Sequence, residues 1–185
     1  MSLLNIFKRK KTLNDYIEYY ILTDWWQNRF TDEEKEYITN TYKENSSSKE
    51  ELFGTNKNPL SFLIAMYKIT SEHETVESKV ESKIYDSFDP LDNSMILEMH
   101  SFYEAKIKSA TDEKVLIGAC YTHINFAPRI AQVLNKPLPS HIGYEKLSAI
   151  LEKQKKYDEL IKISEKALSQ GWAGDWEKKI KQFQK

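Results

Sequence analysis

Between His141 and Gly174 the chain reads HIGYEKLSAILEKQKKYDELIKISEKALSQGWAG, two helical stretches joined by a short lysine-rich turn. No other segment constrains the fold as tightly. Tyr144, Leu147 and Leu151 recur at the three- and four-residue spacing of one helix face. Tyr157, Leu160 and Ala167 fall in the second stretch, and Gly171 supplies a C-terminal stop. A lone hairpin leaves its apolar face uncovered, so it has to pack on the helices before it.

The same periodicity runs through nearly all of the chain. Leu13, Ile17, Tyr20, Ile21 and Trp25 form a stripe that predicts a first helix from about Asn14 to Asn28. Thr31-Asp-Glu-Glu34 is a capping box, in which hydroxyl and carboxylate serve each other's orphan amides. It opens a helix carrying Tyr37, Ile38 and Tyr42, which ends in Asn45-Ser-Ser-Ser48. Lys49 to Asn58 reads as a loop with at most one helical turn. Asn58-Pro59 opens the next helix, since proline fits the first helical position, with Leu60, Leu63, Ile64 and Tyr67 as its buried face. Thr70-Ser71 interrupts it. Val76, Val80 and Ile84 make a narrow stripe on an acidic helix, and Asp89-Pro90 is a turn. Met95, Ile96, Met99, Phe102, Tyr103 and Ile107 mark another helix, and Val115 to about Phe126 the most apolar one. Pro128 is expected to end or kink that helix. Ile130, Val133 and Leu134 continue its pattern, and Lys136-Pro-Leu-Pro139 is an extended connector. Asp175 is placed to cap a last short helix with Trp176, Ile180 and Phe183 facing inward. No segment reads as a strand.

Composition removes several function classes. With 40% hydrophobic and 30% charged residues the chain is globular rather than disordered. A net charge of −1 argues against a general nucleic-acid binder, because phosphate neutralisation needs a basic surface. A single cysteine, Cys120, excludes an internal disulfide framework. It lies in the apolar run Val115 to Tyr121, where a buried small hydrophobe is expected. No stretch approaches the length of a membrane span. The start places Leu3, Leu4, Ile6 and Phe7 before Lys8 to Lys11, the reverse of a secretory signal. Leu3, Ile6 and Phe7 are expected to tuck onto the body, weak contact with an anionic membrane being the alternative, and a cytoplasmic location is the default expectation.

Position by position, His141 to Gly174 resembles a tetratricopeptide repeat. With His141 as the first place of a 34-residue repeat, Tyr144 falls on the large aromatic, Leu147 on the leucine and Ser148 on the small residue. Tyr157 opens the second helix as the family's tyrosine does, and Ala167 takes the alanine that lets the two helices approach. The pattern departs at Leu160 (usually alanine), Ser164 (aromatic), Lys155 (glycine) and Trp172 (proline). No second copy is visible one period upstream, over Ile107 to Ser140, so the resemblance covers about a fifth of the chain. The overall layout is also similar to small bacterial or phage proteins that pair an N-terminal helical region with such a hairpin, which carry no assigned activity. A plain amphipathic helix pair closing a bundle would have the same local structure but no concave groove.

Constellations that carry chemistry are sparse. Cys120 and His123 are three apart on one helix, and His100 and Glu104 four apart on another, with Glu98 nearby. A zinc site needs about four ligands, and carboxylate-bridged bundle sites need donors on facing helices. These four residues are candidates only, and the expectation is that no metal and no cofactor is bound. His141 is expected at a helix start. No phosphate-binding glycine loop, nucleophile elbow or metalloprotease motif occurs, so an enzyme is not expected.

The resulting expectation is an all-α chain, an antiparallel α-α array of about seven to nine helices with a tetratricopeptide-like end. Residues 1–58 form an N-terminal helical region and 59–185 the body, or residues 12–185 form one domain. The weakest joint is Lys43 to Pro59, and a second lies at Ser87 to Ser94. The resemblance implies an interaction module that binds a protein or peptide through a helical groove. The first candidate contacts are Tyr144, Tyr157, Trp172 and Trp176, with Lys155 and Lys156 on the rim. One tryptophan of each pair is expected to be core; the other, Trp26 or Trp172 by the stripe argument, is either an exposed binding anchor or, as expected more often, a cover for the ends of neighbouring helices. Charge is segregated, acidic from Glu72 to Asp92 and basic from Lys153 to Lys185; two solvated faces are the first expectation, and a protein partner or a head-to-tail homo-oligomer the second. Two alternatives stand beside this: an immunity or inhibitor protein that neutralises a toxin, and a metal-binding or enzymatic helical bundle.

Overall fold

The structure, a computed structural model, describes residues 12–46 and 58–184. The expected loop at Lys49 to Asn58 lies almost wholly outside these residues, and the N-terminal apolar cluster entirely so. The fold is all-α: ten helices and two very short strands are present among the described residues. No described helix is long and apolar enough to cross a membrane. The chain divides into two compact units, Met1–Phe88 and Asp89–Lys185. The division falls in the Ser87 to Ser94 joint, and the first unit continues past Pro59.

In the first unit, α1 (Leu13–Tyr19) starts at a capping box between Thr12 and Asp15. The single helix expected over Asn14 to Asn28 is broken. Leu22 N–H donates to Ile17 O and Ile21 N–H to Glu18 O, and Ile21 takes φ 57°. This pair of bonds is a Schellman stop, which turns the chain into α2 (Thr23–Arg29). Trp26 is buried there against Phe30, and Trp25 is the partly exposed member of the pair, the reverse of the expectation. Helix α3 (Asp32–Ser46) opens at the predicted capping box, with Thr31 N–H on Glu34 Oε2 at 2.8 Å and Glu34 N–H on Thr31 Oγ1 at 3.2 Å. Helix α4 (Pro59–Ile69), capped by Asn58, is buried nearly all round: Phe62, Ala65 and Met66 join the four predicted residues. A helix apolar on every side belongs at the centre of its unit. Helix α5 (Glu74–Ser87) buries the Val76, Val80 and Ile84 stripe as predicted.

The second unit contains α6 (Asn93–Ser109), α7 (Glu113–Val133), α8 (Ile142–Lys153), α9 (Tyr157–Gln170) and α10 (Trp176–Phe183). Helix α7 does not end at Pro128 but continues to Val133. The ring leaves the Ile124 carbonyl without its helical donor, a cost of about 3 kcal/mol. Burial of Ala127 and Ile130 on either side offsets it. The connector after α7 forms β1 (Leu138–Ser140), which pairs in parallel with β2 (Trp172–Ala173), a contact the sequence reading missed. This clasp joins the chain entering the hairpin to the chain leaving it. Asp175 stands at the N-cap of α10 but makes no side-chain cap bond.

Candidate functional site

Helices α8 and α9 lie on the two helical stretches expected between His141 and Gly174. Leu147, Leu151, Leu160 and Ala167 are buried between its helices and their neighbours. Each buried leucine contributes about 1.5–3 kcal/mol. Ser164 is buried but satisfied, its hydroxyl donating to Leu160 O at 2.8 Å. Lys155, in the turn, takes left-handed backbone, φ 58°. Lys156 N–H bonds Leu151 O at 2.9 Å and Lys155 N–H bonds Glu152 O at 3.0 Å, a complete Schellman stop with lysine at the left-handed position.

Three of the six expected partner contacts are core. Tyr144, Trp172 and Trp176 are 0%, 3% and 2% exposed. Gln170 Oε1 accepts from Tyr144 Oη at 3.3 Å and from Trp172 Nε1 at 2.9 Å. Trp176 Nε1 donates to Trp172 O at 3.0 Å, and a Cβ on Gly174 would lie 2.7 Å from the Trp176 ring. These rings lock α8, α9 and α10 together and present nothing to a partner, because their own polar tips are satisfied inside the unit. Tyr157, Lys155 and Lys156 are exposed at the hairpin tip, and Tyr157 stacks on Phe183.

The metal candidates regroup. His100 on α6 and His123 on α7 come together, joined by His141 at the N-cap of α8. One ring nitrogen from each lies within 4.8 Å of the others. Cys120 is fully buried, and its thiol, which burial pushes up to about 11, is not among the converging donors. Glu104 faces the cluster from behind, with Oε1 3.6 Å from His100 Nε2. His141 was legible only as a helix start, since nothing in the spacing of His100, His123 and His141 says that α8 returns to α6 and α7.

The bonding of the cluster is incomplete. His100 Nδ1 and His123 Nε2 are 2.7 Å apart, and Tyr144 N–H reaches His141 Nδ1 at 3.4 Å. His123 Nδ1 and His141 Nε2 are buried with no hydrogen-bond partner among the described residues. A neutral imidazole carries one donor and one acceptor. Accepting from Tyr144 puts the His141 proton on Nε2, where no acceptor meets it. With its proton on Nε2 toward Glu104, His100 accepts from His123 Nε2–H, which leaves His123 Nδ1 as a bare lone pair. Each such orphan costs about 1–3 kcal/mol. Burial, and then the neighbouring His141 and His100 rings, hold the His123 pKa down to about 2. Burial and then His100 hold His141 to about 3, and burial also lowers His100. All three rings are therefore neutral at neutral pH. Gly143 makes room for them, since a Cβ there would lie 3.1 Å from both His123 Nδ1 and His141 Cε1.

No family model, no curated protein and no solved structure matches this chain.

Proposed function

We propose that the second unit is a helical array of the tetratricopeptide kind that binds another protein, with the hairpin tip at the contact. The order of packing is the observation that carries this reading: α6 packs on α7, α7 on α8, α8 on α9 and α9 on α10, and α6 also reaches α8. Nearest-neighbour stacking of hairpins, closed by a terminal helix, is what such arrays are built from. In this reading α6 and α7 are a preceding hairpin whose helices are too long for the repeat period, so it leaves no sequence copy. The open face of α8 carries Glu145, Ala149, Glu152 and Lys153, and the tip adds Lys155, Lys156 and Tyr157. A basic tip with one exposed ring suits a partner bearing an acidic segment.

The test is affinity capture from the source organism with the full chain and with a Lys156→Glu/Tyr157→Ala variant, whose exposed positions should leave the circular dichroism spectrum unchanged. A stoichiometric protein held by the first, lost by the second and rebinding when purified supports the reading. A partner retained equally by both would remove the tip from the contact, and absence of any captured protein would count against the module itself. Tyr144→Ala or Trp172→Ala would test stability rather than binding.

A further inference from the structure

We propose that His100, His123 and His141 bind one divalent transition-metal ion at the meeting of α6, α7 and α8. The donor set is all imidazole, which suits zinc, copper, nickel or cobalt rather than calcium or magnesium. Two observations independent of the clustering point to a ligand. His123 Nδ1 and His141 Nε2 are unpartnered, and both rings are fully buried. Buried polar atoms in native folds are rarely left so. Glu104 behind His100 has the place of the outer carboxylate that fixes the tautomer of a metal-bound histidine. Three histidines leave a fourth position open, the pattern of sites that keep a water or exchangeable ligand.

Loading moves protons. Coordination needs a lone pair, so a metal on His141 Nε2 shifts that proton to Nδ1. The 3.4 Å bond from Tyr144 N–H is then given up. The bare lone pair of His123 Nδ1 is ready to coordinate, but on His100 Nδ1 the ion has to displace the His123 Nε2–H that now bonds there at 2.7 Å. In return the ion ties the hairpin, through the start of α8, to α6 and α7. The site needs no partner protein, so it stands or falls separately from the module reading.

The full chain, without an affinity tag and stripped with a chelator, is titrated with Zn²⁺, Co²⁺, Ni²⁺ and Cu²⁺. The readouts are calorimetry, metal content after gel filtration and the visible spectrum of the Co²⁺ form. The expected result is one equivalent, a cobalt spectrum of nitrogen ligation and a raised Tm. His100→Asn and His123→Asn should lower affinity at least about 100-fold, and Glu104→Gln about 10- to 100-fold. His73→Asn should change nothing, because His73 is the N-cap of α5, a place asparagine fills well. The proposal is overturned if none of the four ions is retained, or if His100→Asn retains them as the wild type does. His100, the partly exposed ring, decides the matter even if His123→Asn does not fold.

Discussion

Two side chains occupy backbone that glycine would take more cheaply. Ile21 and Lys155 both sit at the left-handed position of a Schellman stop, at φ 57° and φ 58°. An L-residue there pays about 1–2 kcal/mol, and a β-branched one is the least suited of all. Neither side chain is repaid by burial, since Ile21 is 90% exposed and Lys155 is exposed. Glycine relieves the strain but loses more entropy on folding, about 0.5–1 kcal/mol. Ile21→Gly and Lys155→Gly are therefore each expected to stabilise their own unit by about 0.5–1 kcal/mol. The urea midpoint should rise with an unchanged slope; a lower midpoint would mean that the native side chain makes up the strain elsewhere. The stop at Ile21 was not legible in the sequence, whereas the turn around Lys155 was, from the lysine-rich break between two helical stretches. Glycine and asparagine announce a left-handed residue, as Gly171 does for α9, whereas isoleucine and lysine give no signal. The broken first helix was misread for that reason.

Between elements, a network of charge-assisted bonds in the first unit joins α3 to α5. Lys79 Nζ lies 2.7 Å from both Glu34 oxygens, Thr75 Oγ1 donates at 3.1 Å, and Thr31 N–H at 2.8 Å. Burial alone would raise the Glu34 pKa, but the bonds from Lys79, Thr31 and Thr75 outweigh it and hold the carboxyl below its ordinary 4.5. A depressed carboxyl stabilises the fold above its unfolded value and loses that contribution as the pH falls through the folded one. Glu34→Gln should cost about 1.5–3 kcal/mol at neutral pH, the range for hydrogen bonds to a charged group, with the difference shrinking as the pH falls below the ordinary 4.5. Urea titrations of both proteins across that interval check it. A gap that stays constant with pH would show that shape, not charge, makes the link. Here the sequence was half sufficient. The Thr31/Glu34 capping box and the Val76, Val80, Ile84 stripe were readable as local chemistry and periodicity. That Glu34 also receives Lys79, 45 residues away, follows from packing alone.

At the scale of the whole chain, periodicity is enough to give an all-α fold and most helix positions, because each helix declares its apolar face locally. Which faces meet is not local. Tyr144, Trp172 and Trp176 stand among the expected partner contacts because aromatic rings serve cores and interfaces alike, and His141 joined His100 and His123 only once α8 had packed on α7. The same limit applies to the division into units. Both joints in the sequence were polar, and the deciding fact is which stretch each core closes over. The first core draws on Leu13 to Ile84 and the second on Ile96 to Trp176, so no described core residue falls in the turn between α5 and α6. Leu91 stands in that turn 89% exposed, outside any helix. A protease needs accessible backbone that can be drawn out of the fold, and exposed turns between cores offer it. Brief chymotrypsin treatment under native conditions is therefore expected to cut after Leu91, releasing a piece that begins at Asp92. That piece should retain its helical signal and unfold cooperatively, since its helices, its β1–β2 clasp and its histidine cluster all lie within it. A released piece that loses its helicity would mean that the second core depends on residues before Asp89, and the two units would then have to be treated as one folding body.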